Sequence, residues 1–234
     1  RVILSVSRPG AKLLEIGCAR GYLLKLAKDI GYDVQGVEVS SYASDIARNA
    51  GLSVFNGTMK DISLAENSFD VVVAIDVIEH VVDPINFLLT VKKYLKQGGM
   101  LVLKTPNISS IFARIGGKNW IGFNPYHIFL FSPDTLGSLC NKTGFDIVRL
   151  ETEEVSFCSM DGLRRLGMGR FLGSKVNRVI ESRFRRRVSS ENQGVRNTRE
   201  LDIDLSRRRE GLFGSWMKSR YLGDQIIACA RPSE

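Results

Sequence analysis

Three sets of residues in this 234-residue chain have types and spacings that could do chemistry. The first is a turn, Gly17-Cys18-Ala19-Arg20-Gly21, with an acid, Glu15, two residues before it. Glycines at both ends of a turn remove the side chains that would hold a ligand away from the backbone. A helix that opens at Tyr22 would aim its free N–H groups at the same place. The second is Glu38, roughly 20 residues after the turn, where an acid at a strand end is placed to accept hydrogen bonds from two ribose hydroxyls. The third is the histidine pair of the chain, His80 and His127. The turn does not have the G-x-G-x-x-G spacing that cradles a pyrophosphate. An acid beside it suits a cationic ligand better than an anionic one.

The elements that must position these residues can be read from periodicity. Leu13 to Ile16 is a short buried strand running into the turn, and Tyr22 to Ile30 has apolar residues at helical spacing before Gly31 stops it. Asp33 to Val39 alternates and is rich in valine, a second strand. Ser40 caps a helix through Asn49. Leu52 to Phe55 is a third strand, followed by the loop Asn56-Gly57-Thr58-Met59. Phe69 to Ile75 is a nearly continuous apolar run, the mark of a strand buried on both faces. Pro84 starts a helix to Lys96, and Gln97-Gly98-Gly99 turns the chain into a strand over Met100 to Lys104. Pro133 to Thr143 reads as a helix, Phe145 to Glu151 as a sixth strand and Asp224 to Arg231 as a seventh. Alternation of this kind predicts an α/β fold, a doubly wound, mostly parallel seven-stranded sheet of Rossmann-like type closed by an antiparallel last strand.

Three regions follow: a ligand-binding core over 1–150, a basic and mostly helical insertion or lid over 151–220, and a closing strand over 221–234. The chain is 44% hydrophobic and 25% charged, enough apolar matter for a proper core. Its net charge of +8 is unevenly spread. Residues 160–220 carry 16 basic and 7 acidic side chains against 17 and 18 elsewhere, so the basicity belongs to that segment. Within it, Val176, Val179, Ile180, Phe184 and Val188 share one helical face and arginines cover much of the rest. A basic amphipathic helix of this kind could touch anionic membrane, pack as a lid over the site, or meet a second copy of the chain. Nucleic acid is disfavoured because no aromatics interleave the charges. The four cysteines show no C-x-x-C pair, which argues against a disulfide framework or zinc site and for a reducing cytoplasm, at the inner membrane face if the basic segment binds lipid. No apolar run approaches the roughly 20 residues of a membrane-spanning helix. The opening at Arg1 and the early turn point to a preceding piece of chain.

The motifs in order resemble the class I S-adenosylmethionine-dependent methyltransferases, in particular the group similar to quinone-precursor O-methyltransferases. The chain has Glu15 to Gly21 for the first motif of that group and Phe69-Asp70-Val71-Val72 for the second. Ile78-Glu79-His80-Val81-Val82-Asp83-Pro84, Leu95-Lys96-Gln97-Gly98-Gly99 and Thr105-Pro106-Asn107 follow, and Phe131-Ser132 and Gly144-Phe145 fit the later pattern. The likeness implies S-adenosyl-L-methionine as cofactor. It implies that Gly17, Cys18, Ala19, Gly21 and Tyr22 pack against the methionine part, with Glu15 near its ammonium. Glu38 and Val39 would meet the ribose, Thr58 and Met59 the adenine, and Asp76, Val77 and Ile78 the other side. Ala19 departs from the group's middle glycine, and its methyl should narrow the turn; Gln97 replaces a proline.

The implied activity is methyl transfer to a small-molecule, glycan or lipid-precursor acceptor, which needs mainly proximity and orientation. A base is needed only for a hydroxyl or a protonated amine, and His127 and His80 are the candidates. Relatives that bind a divalent metal do so through positions matching Asp76, Glu79, His80 and His127, but the Asp at the first position argues against it, and no metal is expected. Metal-assisted RNA methylation and a non-catalytic cofactor-binding module are the alternatives. Trp120, Phe123, Tyr126 and Phe129 either wall the acceptor pocket or pack their loop on the sheet. Cys18 reads as a small buried residue of the turn.

Overall fold

The computed structural model describes residues 2–153 and 223–233, all within one compact unit formed by residues 1–153 and 221–234. The basic segment 160–220, its expected helix and Cys158 lie outside the described residues.

Seven strands form one sheet in the order β3-β2-β1-β4-β5-β7-β6. They are β1 (Lys12–Ile16), β2 (Asp33–Glu38), β3 (Val54–Asn56), β4 (Phe69–Ile75), β5 (Leu95–Pro106), β6 (Phe145–Glu153) and β7 (Gln225–Pro232). The β1–β2, β1–β4, β2–β3 and β4–β5 pairs are parallel, and β7 runs antiparallel to both β5 and β6. The helices are α1 (Val2–Val6), α2 (Tyr22–Asp29), α3 (Ser41–Asn49), α4 (Pro84–Tyr94), α5 (Ile111–Gly116) and α6 (Pro133–Lys142).

Strand pleating builds two cores, because successive side chains leave a strand on opposite faces. Leu14, Val72, Ala74, Leu101 and Leu103 point to one side, where they meet Phe87, Leu88 and Val91 of α4 and Leu136 of α6. Leu13, Val71, Val73 and Val102 point to the other, against Leu24 and Ala27 of α2 and Ala47 of α3. Residues 71–74 of β4 are fully buried, as their continuous apolar run predicts.

Local signals set the helix starts. The Ser40 hydroxyl accepts the Ala43 N–H at 3.3 Å, and Asp83 accepts the Asn86 N–H just before Pro84. Ser132 and Thr135 form a reciprocal capping box on α6. One expectation needs correction. Gln97-Gly98-Gly99 is not a turn ahead of the fifth strand; β5 already starts at Leu95, paired with Phe69. The register then shifts between Phe69 and Val71, and Gly98 at φ +75° lets the extra residues bulge outward.

Candidate cofactor and acceptor site

The sheet order reverses between β1 and β4, and in open α/β sheets ligands bind outside the carboxyl ends of the strands at that point. The glycine turn leaves β1 there, and Asp76 to His80 leave β4 beside it. They are in contact: a Cβ added to Gly17 would lie 2.6 Å from Val77 Cγ2. Gly17 and Gly21 both take φ above +70°, which favours glycine. Ala19 also sits at φ +45° and Asp76 at φ +52°, costly backbone for residues with a Cβ.

Glu38 explains how Ala19 is held there. It is buried at the end of β2, its Oε2 accepts the Ala19 N–H at 2.8 Å and its Oε1 accepts the Ser40 N–H at 2.8 Å. The carboxylate is therefore a strut between the turn and α3 as well as a candidate ribose acceptor; each oxygen keeps one lone-pair site for a ligand. The backbone carbonyl of Glu38 accepts the Gly57 N–H and the Asn56 amide, which brings the loop with Thr58 and Met59 to the same edge. Thr58 is exposed and tied to Asp61, which accepts both its N–H and its hydroxyl, a partner the sequence reading missed.

Glu15 lies under the turn with 5% of its surface exposed, and its Oε2 has no hydrogen-bond partner. Burial pushes its pKa from 4.5 up to about 8; the Leu24 N–H pulls it down and the Glu38 charge pushes it further up. Cys18 is buried, and desolvation followed by the charges of Glu15 and Glu38 pushes its thiol up to about 12, which removes any nucleophilic role at neutral pH. Tyr22 and Val39 are exposed at the rim, whereas Ile78 is fully buried. Cys140 and Cys229 are buried free thiols like Cys18.

The second half of the site is organised by Glu79, in a 3-10 turn at Ile78–His80. Its side chain is buried and accepts the Thr105 hydroxyl at 2.9 Å, which links the I-E-H and T-P-N motifs physically. Its backbone carbonyl accepts the Ile128 and Phe129 N–H groups, which sets His127 beside His80. The two rings are 4.8 Å apart at 72°. His80 Nδ1 is 2.8 Å from the Tyr126 carbonyl and His127 Nδ1 is 2.8 Å from the Gly122 carbonyl. A carbonyl can only accept, so both Nδ1 atoms carry hydrogen, and each ring in its neutral form presents a lone pair at Nε2. One ligating atom each from Glu79, His80 and His127 lies within 4.8 Å of the others, and Glu79 Oε1 has no partner. Desolvation raises the pKa of Glu79 and of nearby Asp76, and in Asp76 the charges of Lys104, His127 and His80 oppose it.

The aromatic loop divides between the two readings. Phe123, Tyr126 and Phe129 are exposed, while Trp120 is 5% exposed and turned inward. Among the described residues no helix is long and apolar enough to cross a membrane.

A family model described as a methyltransferase domain matches residues 2–150. A ubiquinone biosynthesis O-methyltransferase of Cereibacter sphaeroides (strain ATCC 17025 / ATH 2.4.3) is 35% identical over 153 residues, 59% of this chain and 62% of that one. The chain thus spans under two thirds of that relative's length. A SAM dependent methyltransferase from Archaeoglobus fulgidus shares the fold with a TM-score of 0.61, at 18% identity over 99% of this chain and 90% of that one. The [4+2]-cyclase SpnF does so with a TM-score of 0.59, at 17% identity over 99% of this chain and 79% of that one. With its family match covering most of the sheet and the whole of the glycine turn, the chain belongs to the methyltransferase domain family.

Proposed function

We propose that the protein transfers a methyl group from S-adenosyl-L-methionine to a hydroxyl of a small-molecule, glycan or lipid-precursor acceptor. The acid pair around the glycine turn supports this reading most. A buried carboxyl with an unpartnered oxygen, Glu15, suits an ammonium group, and Glu38 retains lone pairs suited to a diol. Gly17 and Gly21 let the backbone approach, Cys18 and Ala19 complete the turn, and Thr58, Met59, Asp76 and Val77 complete the pocket, whereas Ile78, fully buried in the apolar core, offers no surface to a ligand. When bound, the sulfonium supplies an activated methyl that needs only an aligned nucleophile. The chain's own contribution on the acceptor side is a proton acceptor, the Nε2 of His127 or His80, and backbone carbonyls that hold each ring in one tautomer. The relative named an O-methyltransferase supports a hydroxyl acceptor. Because a neighbour in fold is named a [4+2]-cyclase, transfer has to be measured directly.

A second reading, metal-assisted transfer with RNA as one acceptor, draws on the convergence of Glu79, His80 and His127. That donor set of two imidazoles and a carboxylate would suit a first-row transition metal. One experiment separates the two. Full-length protein is given methyl-labelled S-adenosylmethionine with panels of catechols, phenols, amines and RNA, with and without EDTA. The proposal expects label on a hydroxyl acceptor, unchanged by EDTA and reduced about 100-fold or more by His127→Ala. Loss of label with EDTA supports the metal reading, and an unlabelled panel counts against transfer.

A further inference from the structure

We infer that Asp224, at the entrance to β7, is a positioning residue for His127, acting through Trp120 and Gly122; this rests on the reading of His127 as an acceptor-side residue. The Asp224 carboxylate is buried, and its Oδ1 accepts the indole Nε1–H of Trp120 at 2.9 Å and the Ser110 hydroxyl at 3.1 Å. Ser110 in turn accepts the Ala113 N–H at the start of α5. The backbone is tied at the same place: the Asp224 carbonyl accepts the Asn107 N–H, and the Gly223 carbonyl accepts the Asn107 side-chain amide at 2.7 Å. The loop after T-P-N is therefore clasped to residues more than a hundred positions later.

The clasp reaches the candidate site in two steps. The six-membered edge of the Trp120 ring covers Gly122 so closely that a Cβ there would collide with it. Gly122 is the residue whose carbonyl receives His127 Nδ1–H at 2.8 Å. A single ring orientation thus fixes the carbonyl that fixes the imidazole. Hydrogen bonds to a charged acceptor inside a protein are among the stronger ones, and an indole has only one donor to give. Once Asp224 stops holding the indole, the ring plane that presses on Gly122 rests on packing, including the edge-to-face contact with Phe123.

With two histidines in the chain, ring spectroscopy is unusually clean. Full-length protein carrying 15N-histidine is compared as wild type, W120F, D224A and D224N. In the wild type the His127 Nδ1–H, bonded to the Gly122 carbonyl, should exchange slowly. W120F and D224A should speed its exchange by about tenfold or more, while the His80 signal and backbone amides of β1 and β4 move little. D224N keeps an oxygen acceptor and should restore the wild-type signal. His127 exchange unchanged in folded W120F and D224A overturns the inference, as does failure of D224N to restore it. S-adenosylhomocysteine binding is measured on the same samples. Its absence in the wild type refutes the proposed cofactor while leaving the clasp intact, so the two failures are distinguishable.

Discussion

Replacing Glu38 with alanine should weaken S-adenosylhomocysteine binding by about 100-fold or more and lower stability by roughly 2–4 kcal/mol. The carboxylate accepts two backbone N–H groups, from Ala19 and Ser40, each at 2.8 Å. Ala19 occupies φ +45°, a conformation that costs about 1–2 kcal/mol for a residue with a Cβ. The bond from its N–H to Glu38 is what offsets that cost. Without it the turn relaxes, the N–H groups of Ala19 and Ser40 lose their acceptor, and a ribose held as proposed would lose both hydroxyl contacts together. Glu38→Gln keeps one acceptor oxygen and should fall between. Urea unfolding and calorimetric titration measure the two effects separately. Binding within threefold of wild type in Glu38→Ala would show that the β2 acid is a strut and nothing more.

Stability should fall as pH rises from about 5 to 8, and Glu15→Gln should remove most of the fall. The native carboxyl has a pKa of about 8 against an ordinary 4.5, because burial disfavours its charged form. Between those values the folded chain holds a proton that the unfolded chain has released. The native state then binds more protons, so stability declines with pH. The contribution is fully present below 4.5 and is lost as pH passes through about 8. With the group buried, several kcal/mol are at stake across that window. Urea midpoints at pH 5.5 and 8.5 report it: a large gap in the wild type, a much smaller one in Glu15→Gln. Equal gaps would mean that Glu15 is solvated or paired in solution.

Much of this was legible because it is local. The apolar run of β4, the glycine turn, the cap at Ser40 and the helix start at Pro84 each follow from a few adjacent residues. What failed to show depends on contacts between distant residues. Glu38 read as an open pair of acceptors; that it also holds Ala19 depends on how closely β1 and β2 pair. Only the family resemblance groups His80 with His127, and their meeting is decided by the Glu79 carbonyl receiving residues 128 and 129. Trp120 reads equally as a pocket wall or as loop packing, because an aromatic in a polar loop gives no sign of which way it faces, and its partner is 104 positions away. The extra residues of β5 hid behind Gly98-Gly99, which marks a bulge as readily as a turn. Residues 108–131 show no period, since α5 has only six residues.

The glycine turn and its two acids are proposed to bind a cationic nucleoside cofactor. The most direct measurement is a calorimetric titration of S-adenosylmethionine into the full-length chain at pH 6.5, in two buffers of different ionisation heat. An ammonium beside Glu15 favours its charged form, so binding should release about one proton. The expected result is saturable binding whose heat differs between the buffers, a difference lost in Glu15→Gln. Absence of saturable binding would contradict the account outright, and buffer-independent binding would place the ligand's cation away from Glu15.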